Sequence, residues 1–473
     1  MKFSSKISLL LICLTFANLA WANEKMDSAI INFVQSKAMK DARVGVCVLD
    51  IKENKMLSSV NKDSLIIPAS VTKTISSATA LKTWTPEYKF KTEVSIDGIV
   101  NFGTLDGNLI IKAGLDPTLE SRHFAENYSF VTQCVEAIKY AGIQKIKGKI
   151  IIDSDIYPDP TIPSRWDDSD IAEEYGAGAH ALNYADNLCS IIVDLSGRKA
   201  RIIDTIPHQR RLRIDNRMSI SKDRKARRYP SAFRKKNSCK LTLKGDLRRQ
   251  EMPIEVFTTT PDPADALSCD LEDILSFEGI TVEGKKMKRG LVSQHLLTYE
   301  SPELKDIVAS LLERSDNMFA EAVLRTLGFD EEGVTSRQNA IDNEYRILTE
   351  WGVDTTGQIL YDGSGLSRSN HYSPAFLASI LRTCQVDESL NGIFPTLFPK
   401  VGMEGTVKKL LKDTPLEGKL VLKSGSMTRV QCYAGYYPLE DPQYVVVMMT
   451  NGFKCDHETL KKQIEQLFLE LFI

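Results

Sequence analysis

A long interval of strand-like texture separates two stretches that read as mixed helix and strand. From about residue 86 to 261 the chain breaks into short apolar runs bounded by turn formers. Gly107-Asn108-Leu109-Ile110-Ile111-Lys112 and Gly148-Lys149-Ile150-Ile151-Ile152-Asp153 are examples. The flanks read differently. Residues 44–50 and 56–60 read as two strands around the turn Ile51-Lys52-Glu53-Asn54-Lys55. Pro68-Ala69 then opens a helical stretch with Val71, Ile75, Ala78 and Leu81 on about one face. Leu304, Ile307, Val308, Leu311 and Leu312 repeat at helical spacing, and a second helix begins near Met318. Residues 420–424, 430–437 and 444–450 read as three consecutive strands, and 458–473 closes the chain as an amphipathic helix. The pattern predicts an α+β fold split by a β-rich insertion. At about 150 residues per domain, a chain of this length allows roughly three domains.

Lys2 and Lys6, the apolar run 7–19 and Ala20-Trp21-Ala22 form the pattern of a secretory signal peptide over residues 1–22. The run is short for a membrane span. Export predicts an oxidising compartment. The eight cysteines after residue 22 permit disulfides, and their 105 connectivities leave the pairing open. No Cys-x-x-Cys pair occurs and the six histidines are scattered, which argues against a metal site. Sixty Lys+Arg against 62 Asp+Glu give a net charge of −2, hence no bulk attraction to nucleic acid. One segment departs from this balance: residues 210–236 hold twelve Lys/Arg and two Asp. It reads as a solvated face, or as a peripheral contact for an anionic envelope polymer. Aromatic residues are sparse there (Tyr229, Phe233), against nucleic acid.

Three short motifs carry chemistry. Ser70-Val71-Thr72-Lys73 places a hydroxyl and an amine on one helix face, at a helix N-terminus where developing negative charge is favoured. A serine is a weak nucleophile until a base takes its proton, and a desolvated lysine can be that base. Ser315-Asp316-Asn317 lies in the short connection between two helices. There Ser315 can relay a proton and Asn317 can hydrogen-bond a substrate amide. Lys423-Ser424-Gly425-Ser426 ends a strand that can pair with an extended peptide. Lys423 supplies positive charge, Ser424 and Ser426 can hold a terminal carboxylate, and Gly425 lets the backbone come close. Alone, each motif reads equally as a helix cap or strand end. Other patterns lack their context. Gly176-Ala177-Gly178-Ala179-His180-Ala181 follows an acidic, non-strand stretch, so it is no dinucleotide site. Gly363-Ser364-Gly365 is not a nucleophile elbow.

Ser-x-x-Lys, Ser-Asp-Asn and Lys-Thr-Gly, in that order, are the signature of β-lactamases and penicillin-binding proteins. The sequence resembles the low-molecular-mass class C penicillin-binding proteins with D-alanyl-D-alanine carboxypeptidase/endopeptidase activity, of the peptidase S13 type. The resemblance covers nearly the whole chain after residue 22. It extends to GNLIIKAGLDPTL (107–119), YGAGAHALNYADN (175–187), DGSGLSR (362–368) and GMEGTVK (402–408). It implies a transpeptidase/β-lactamase-like domain, an antiparallel sheet flanked by helices, formed by 23–85 and 262–473. Residues 86–261 would be the insertion, as two nested β-rich subdomains. It implies Ser70 as acylated nucleophile, Lys73 as base, and Ser315, Asn317 and Lys423 beside them. The backbone N–H groups of Ser70 and Ser426 would form the oxyanion hole, and Arg368 would grip a carboxylate of the stem peptide. Ser424 stands where threonine is usual.

The implied reaction is acyl transfer on peptidoglycan stem peptides and D,D-crosslinks in the periplasm, with β-lactam antibiotics as covalent inhibitors. It needs no metal or organic cofactor and no nucleic acid. A β-lactamase-like hydrolase and a catalytically inactive wall-binding or penicillin-sensing module are the alternatives.

Overall fold

The computed structural model describes residues 23–124, 129–223, 225–287 and 293–473. The signal-peptide pattern of residues 1–22 lies outside the described residues. Two compact units emerge. One comprises the chain up to Lys82, Val308–Ser315 and Glu344–Ile473; the other comprises Thr83–Ile307 and Asp316–Asn343. The return to the first unit thus falls at Val308, not at 262 as the sequence suggests. The reason is that helix Pro263–Phe277 and strand Ser293–Glu300 pack and pair with the second unit's own strands, such as Lys91–Asn101.

The first unit is built on a five-stranded sheet in the order Val421–Met427, Val430–Tyr437, Tyr444–Asn451, Arg43–Asp50, Lys55–Val60. All its pairings are antiparallel. Tyr444–Asn451 runs Tyr-Val-Val-Val-Met-Met-Thr-Asn and is buried along both faces, so it lacks the alternation of a half-exposed strand. One face meets the helical stretch 23–35 and helix His457–Phe472. Phe33, Leu460, Ile464 and Phe468 cluster there with Val46, Val446 and Met448. Helix Pro374–Val386 packs against the same sheet, and the Tyr436 hydroxyl donates to the Leu381 carbonyl at 2.8 Å. Val421–Met427 has a strand on one side only, which leaves an edge beside the turn Ala69–Thr72.

In the second unit a six-stranded mixed sheet is centred on Lys91–Asn101 and Thr104–Lys112. Residues 188–259 add two three-stranded sheets. Leu188–Asp194 is central in one, and Lys240–Arg248 in the other. Ile191, Val193, Leu241, Leu243 and Val256 form a core common to the pair. The eight cysteines among the described residues are all free, six of them buried. No described helix is long and apolar enough to cross a membrane.

Candidate active site

Ser70 sits in a 3-10 turn, Ala69–Thr72, that runs directly into helix Lys73–Trp84. The turn is strained at its start, since Ala69 has φ 48°, a conformation that costs a non-glycine residue roughly 1–3 kcal/mol. Lys73, the first residue of the α-helix, is fully buried. Its Nζ lies 2.9 Å from Ser70 Oγ and donates to the Ser364 carbonyl at 2.6 Å.

The loop 362–368 carries that carbonyl. The Asp362 carboxylate accepts from the backbone N–H groups of Gly365 and Ser367 and from the Asn370 amide, each at 2.8 Å. Gly365 has φ +79°, and a β-carbon there would stand 2.0 Å from the Ala69 carbonyl oxygen. Only glycine lets this loop lie against the turn that carries Ser70. Motif spacing gives Ser364 and Asp362 no part in the site, since their contribution is a main-chain carbonyl and the carboxylate that shapes its loop. The DGSGLSR stretch pointed to Arg368, which is exposed and donates to the Thr428 carbonyl at 3.3 Å.

Ser315 ends the first unit's portion of the second motif. Helix Leu304–Arg314 stops at it, and Ser315 takes φ 63°, which turns the chain sharply into the next helix. Its Oγ lies 2.9 Å from Lys423 Nζ. Lys423 is fully buried in the edge strand and also donates to the Ser424 carbonyl at 2.7 Å. Burial, and then the charge of Lys73, hold the Lys423 ammonium well below the ordinary lysine range. Two buried amines thus face one region, where each disfavours a positive charge on the other.

The remainder of the third motif lines the same edge. A β-carbon on Gly425 would come within 2.9 Å of the Ser70 backbone nitrogen, so a glycine is required where the edge strand crosses the turn Ala69–Thr72. The Ser424 hydroxyl is 2.7 Å from the Thr406 hydroxyl. Ser426 is exposed and stands opposite Gln431 in the pairing register. Ser70, Lys73, Ser315, Lys423, Ser424, Gly425 and Ser426 all belong to the first unit.

Asn317 belongs to the second unit. Asp316 caps helix Asn317–Arg325 through the Phe319 N–H at 2.9 Å. The buried Asn317 amide donates to the Tyr175 carbonyl at 2.7 Å. At the far end of this helix the Arg325 guanidinium is buried, donates to the carbonyls of Ala179 and Thr161, and lies 3.8 Å from the Tyr157 ring centroid. The stretch 175–187, which contains the rejected dinucleotide-like run 176–181, is therefore a seat for the helix that carries Asn317. No cluster of potential metal ligands occurs among the described residues.

The arrangement can activate a serine hydroxyl, receive an anion and hold an extended chain at a sheet edge. Comparison with known proteins fits this chemistry. Residues 26–470 match the D-Ala-D-Ala carboxypeptidase 3 (S13) family. The chain is 24% identical over 463 residues to D-alanyl-D-alanine carboxypeptidase DacB of Haemophilus influenzae, covering 96% of this chain and 93% of that one. It is 24% identical over 455 residues to the D-alanyl-D-alanine carboxypeptidase of Actinomadura sp. strain R39, covering 92% and 82%. The crystal structure of penicillin binding protein 4 from H. influenzae shares the fold, with a TM-score of 0.76 at 22% identity over 93% of this chain and 97% of that one. The same protein complexed with a β-lactam gives 0.75 at 22% identity, over 94% and 99%. Since the family match runs from the first described helix into the last, and spans every motif above, the chain belongs to the D-Ala-D-Ala carboxypeptidase 3 (S13) family.

Proposed function

We propose that this chain is a serine D-alanyl-D-alanine carboxypeptidase that acts on peptidoglycan stem peptides through an acyl-enzyme on Ser70. The observation that carries the reading is the pair of 2.9 Å contacts, Lys73 to Ser70 and Lys423 to Ser315. With the Lys73 amine neutral, the first contact lets Ser70 Oγ pass its proton to Nζ while the oxygen attacks the carbonyl carbon of the penultimate D-alanine. The negative charge that develops is met by the backbone N–H groups of Ser70 and Ser426. Each such donor typically contributes about 10²–10³ in rate. Ser315 returns the proton from Lys73 to the departing amine, and terminal D-alanine leaves. Water then hydrolyses the ester.

The substrate enters as an added strand along 421–427, and the Lys423 ammonium meets its terminal carboxylate. Its positive charge also favours the neutral amine on Lys73. Asn317 holds the substrate's amide, and Arg368 takes a further carboxylate of the stem. When the departing amine belongs to a neighbouring stem peptide, the same steps cut a D,D-crosslink, an endopeptidase activity. A β-lactam presents its strained amide to Ser70 and stays as a slowly hydrolysed ester. The leader pattern of residues 1–22 supports export to the periplasm, where this substrate lies.

The test is labelling with fluorescent penicillin together with release of D-alanine from a pentapeptide. Wild type should take up one label and release D-alanine, and Ser70→Ala should do neither while melting at the same temperature. Label retained by Ser70→Ala overturns the reading. Rapid turnover of nitrocefin without lasting label overturns it in favour of a β-lactamase.

A further inference from the structure

The basic segment does not act as one surface. Arg210 pairs with Glu272 at 3.2 Å, Arg211 with Asp262 at 2.7 Å, Arg217 with Asp215 at 2.9 Å, and Lys236 approaches Asp168 at 3.8 Å. These charges are neutralised inside the second unit. A different set of cations is not. Arg198, Lys222, Arg228, Arg248 and Arg249 line one open groove of about 1320 Å³. Among the described residues, none of these five is ion-paired with a carboxylate. Only two of them, Lys222 and Arg228, lie within the basic segment; Arg198 comes from the turn after strand Leu188–Asp194, and Arg248 and Arg249 from the end of strand Lys240–Arg248.

The groove also has an apolar floor. Tyr229, Met252 and Phe257 line it and remain 49%, 76% and 47% exposed. The Arg228 guanidinium lies 5.6 Å from the Tyr229 ring centroid. Exposed apolar groups gathered in a groove and rimmed by charge mark an interaction site. Asp223, Glu251 and Glu255 share the lining and leave the cations in excess. Arginine forks suit carboxylates, and flat rings suit the C–H face of a sugar. Two rings are too few for the run of stacked bases that a single-stranded nucleic acid needs.

We propose that this groove docks a glycan strand of peptidoglycan, whose stem peptides supply the carboxylates. The proposal rests on the reading that the chain acts on that polymer. It assigns a holding role that raises the local concentration of stem peptides without touching the scissile bond. It therefore affects work on the polymer and leaves soluble peptides alone.

Pelleting of the full chain with purified insoluble peptidoglycan, all proteins carrying Ser70→Ala, tests the groove apart from catalysis. At low ionic strength the bound fraction should fall at least about fivefold in Arg248→Glu/Arg249→Glu and about threefold in Tyr229→Ala, because charge and ring both contribute. Lys52→Glu/Lys55→Glu, an equal change of net charge on the first unit, should pellet like the parent. With Ser70 restored, each groove variant should release D-alanine from a soluble pentapeptide at the wild-type rate, which also shows that it folds. Undiminished pelleting of the groove variants overturns the proposal. So does displacement of the protein by single-stranded DNA at concentrations where it competes as well as solubilised glycan fragments. Failure of wild type to release D-alanine defeats the functional reading instead, while the pelleting result still judges the groove.

Discussion

Lys423 Nζ lies 2.9 Å from Ser315 Oγ, so a buried ammonium on the edge strand is tied to a hydroxyl that the chain presents from a left-handed residue between two helices. In the proposed reaction Ser315 relays a proton, and this contact fixes where its hydroxyl stands. Ser315→Ala should lower the rate of D-alanine release by about 10²–10³, within the range for a positioned proton-transfer group. Binding of a non-reactive peptide should change less than about threefold. A fall in binding as large as the fall in rate would reassign Ser315 to substrate holding.

The depressed Lys423 pKa gives a pH signature. An unfolded lysine titrates at about 10.4. Between the lowered folded value and that figure, the unfolded chain binds more protons than the folded one, so stability rises with pH. Below the lowered value both states are protonated and the burial penalty is constant. Wild type should therefore gain stability relative to Lys423→Met as pH is raised toward 10, read as a difference in melting temperature. The alkaline limb of kcat/KM should fall below the ordinary lysine range, because loss of the ammonium removes the partner of the substrate carboxylate. A limb at or above that range, with a flat melting difference, would contradict the assignment.

Gly365 tests the loop that holds Lys73. A methyl group there must displace the Ala69 carbonyl or the loop itself, and φ +79° is strained for alanine. Gly365→Ala should cost about 1–3 kcal/mol of stability. It should also slow acylation by penicillin at least about tenfold, because the Ser364 carbonyl moves off Lys73. Unchanged acylation in stopped-flow labelling would show that the carbonyl is dispensable.

Arg325 anchors the helix of Asn317 from its other end. Burial draws its pKa down to about 10, yet it remains charged at neutral pH. Arg325→Met removes donors to two carbonyls and should destabilise the protein by about 2–4 kcal/mol, measured from the urea midpoint. Arg325→Lys keeps the charge but cannot span both carbonyls, and it should recover less than half of the loss. Full recovery would show that charge alone matters at this position.

The sequence marks the residues that the structure pairs, Lys73 with Ser70 and Lys423 with Ser315. Ser70, Lys73, Ser315, Asn317 and Lys423 stand in motifs whose spacing reflects a helix start, a helix junction and a strand. Strands Val430–Tyr437 and Tyr444–Asn451 and the closing helix lie within a residue or so of their expected ends, because apolar runs and turn residues are local signals. The turn at Ser70 was less visible. It is a strained 3-10 segment, and its geometry is imposed by Gly425 and Gly365 packing against it from far along the chain.

By itself the sequence determined which side chains could do acyl transfer, in what order they come, and the texture of the strands and helices that bear them. Only the tertiary structure decided that Ser364 offers its carbonyl to Lys73, that Ser424 is occupied by Thr406, and that Asn317 rests on the Tyr175 carbonyl. It likewise decided which basic residues are neutralised and which open onto a groove. Each of these depends on a backbone carbonyl, a hydroxyl or a carboxylate remote in sequence, and such groups carry no local periodicity from which their partners could be read.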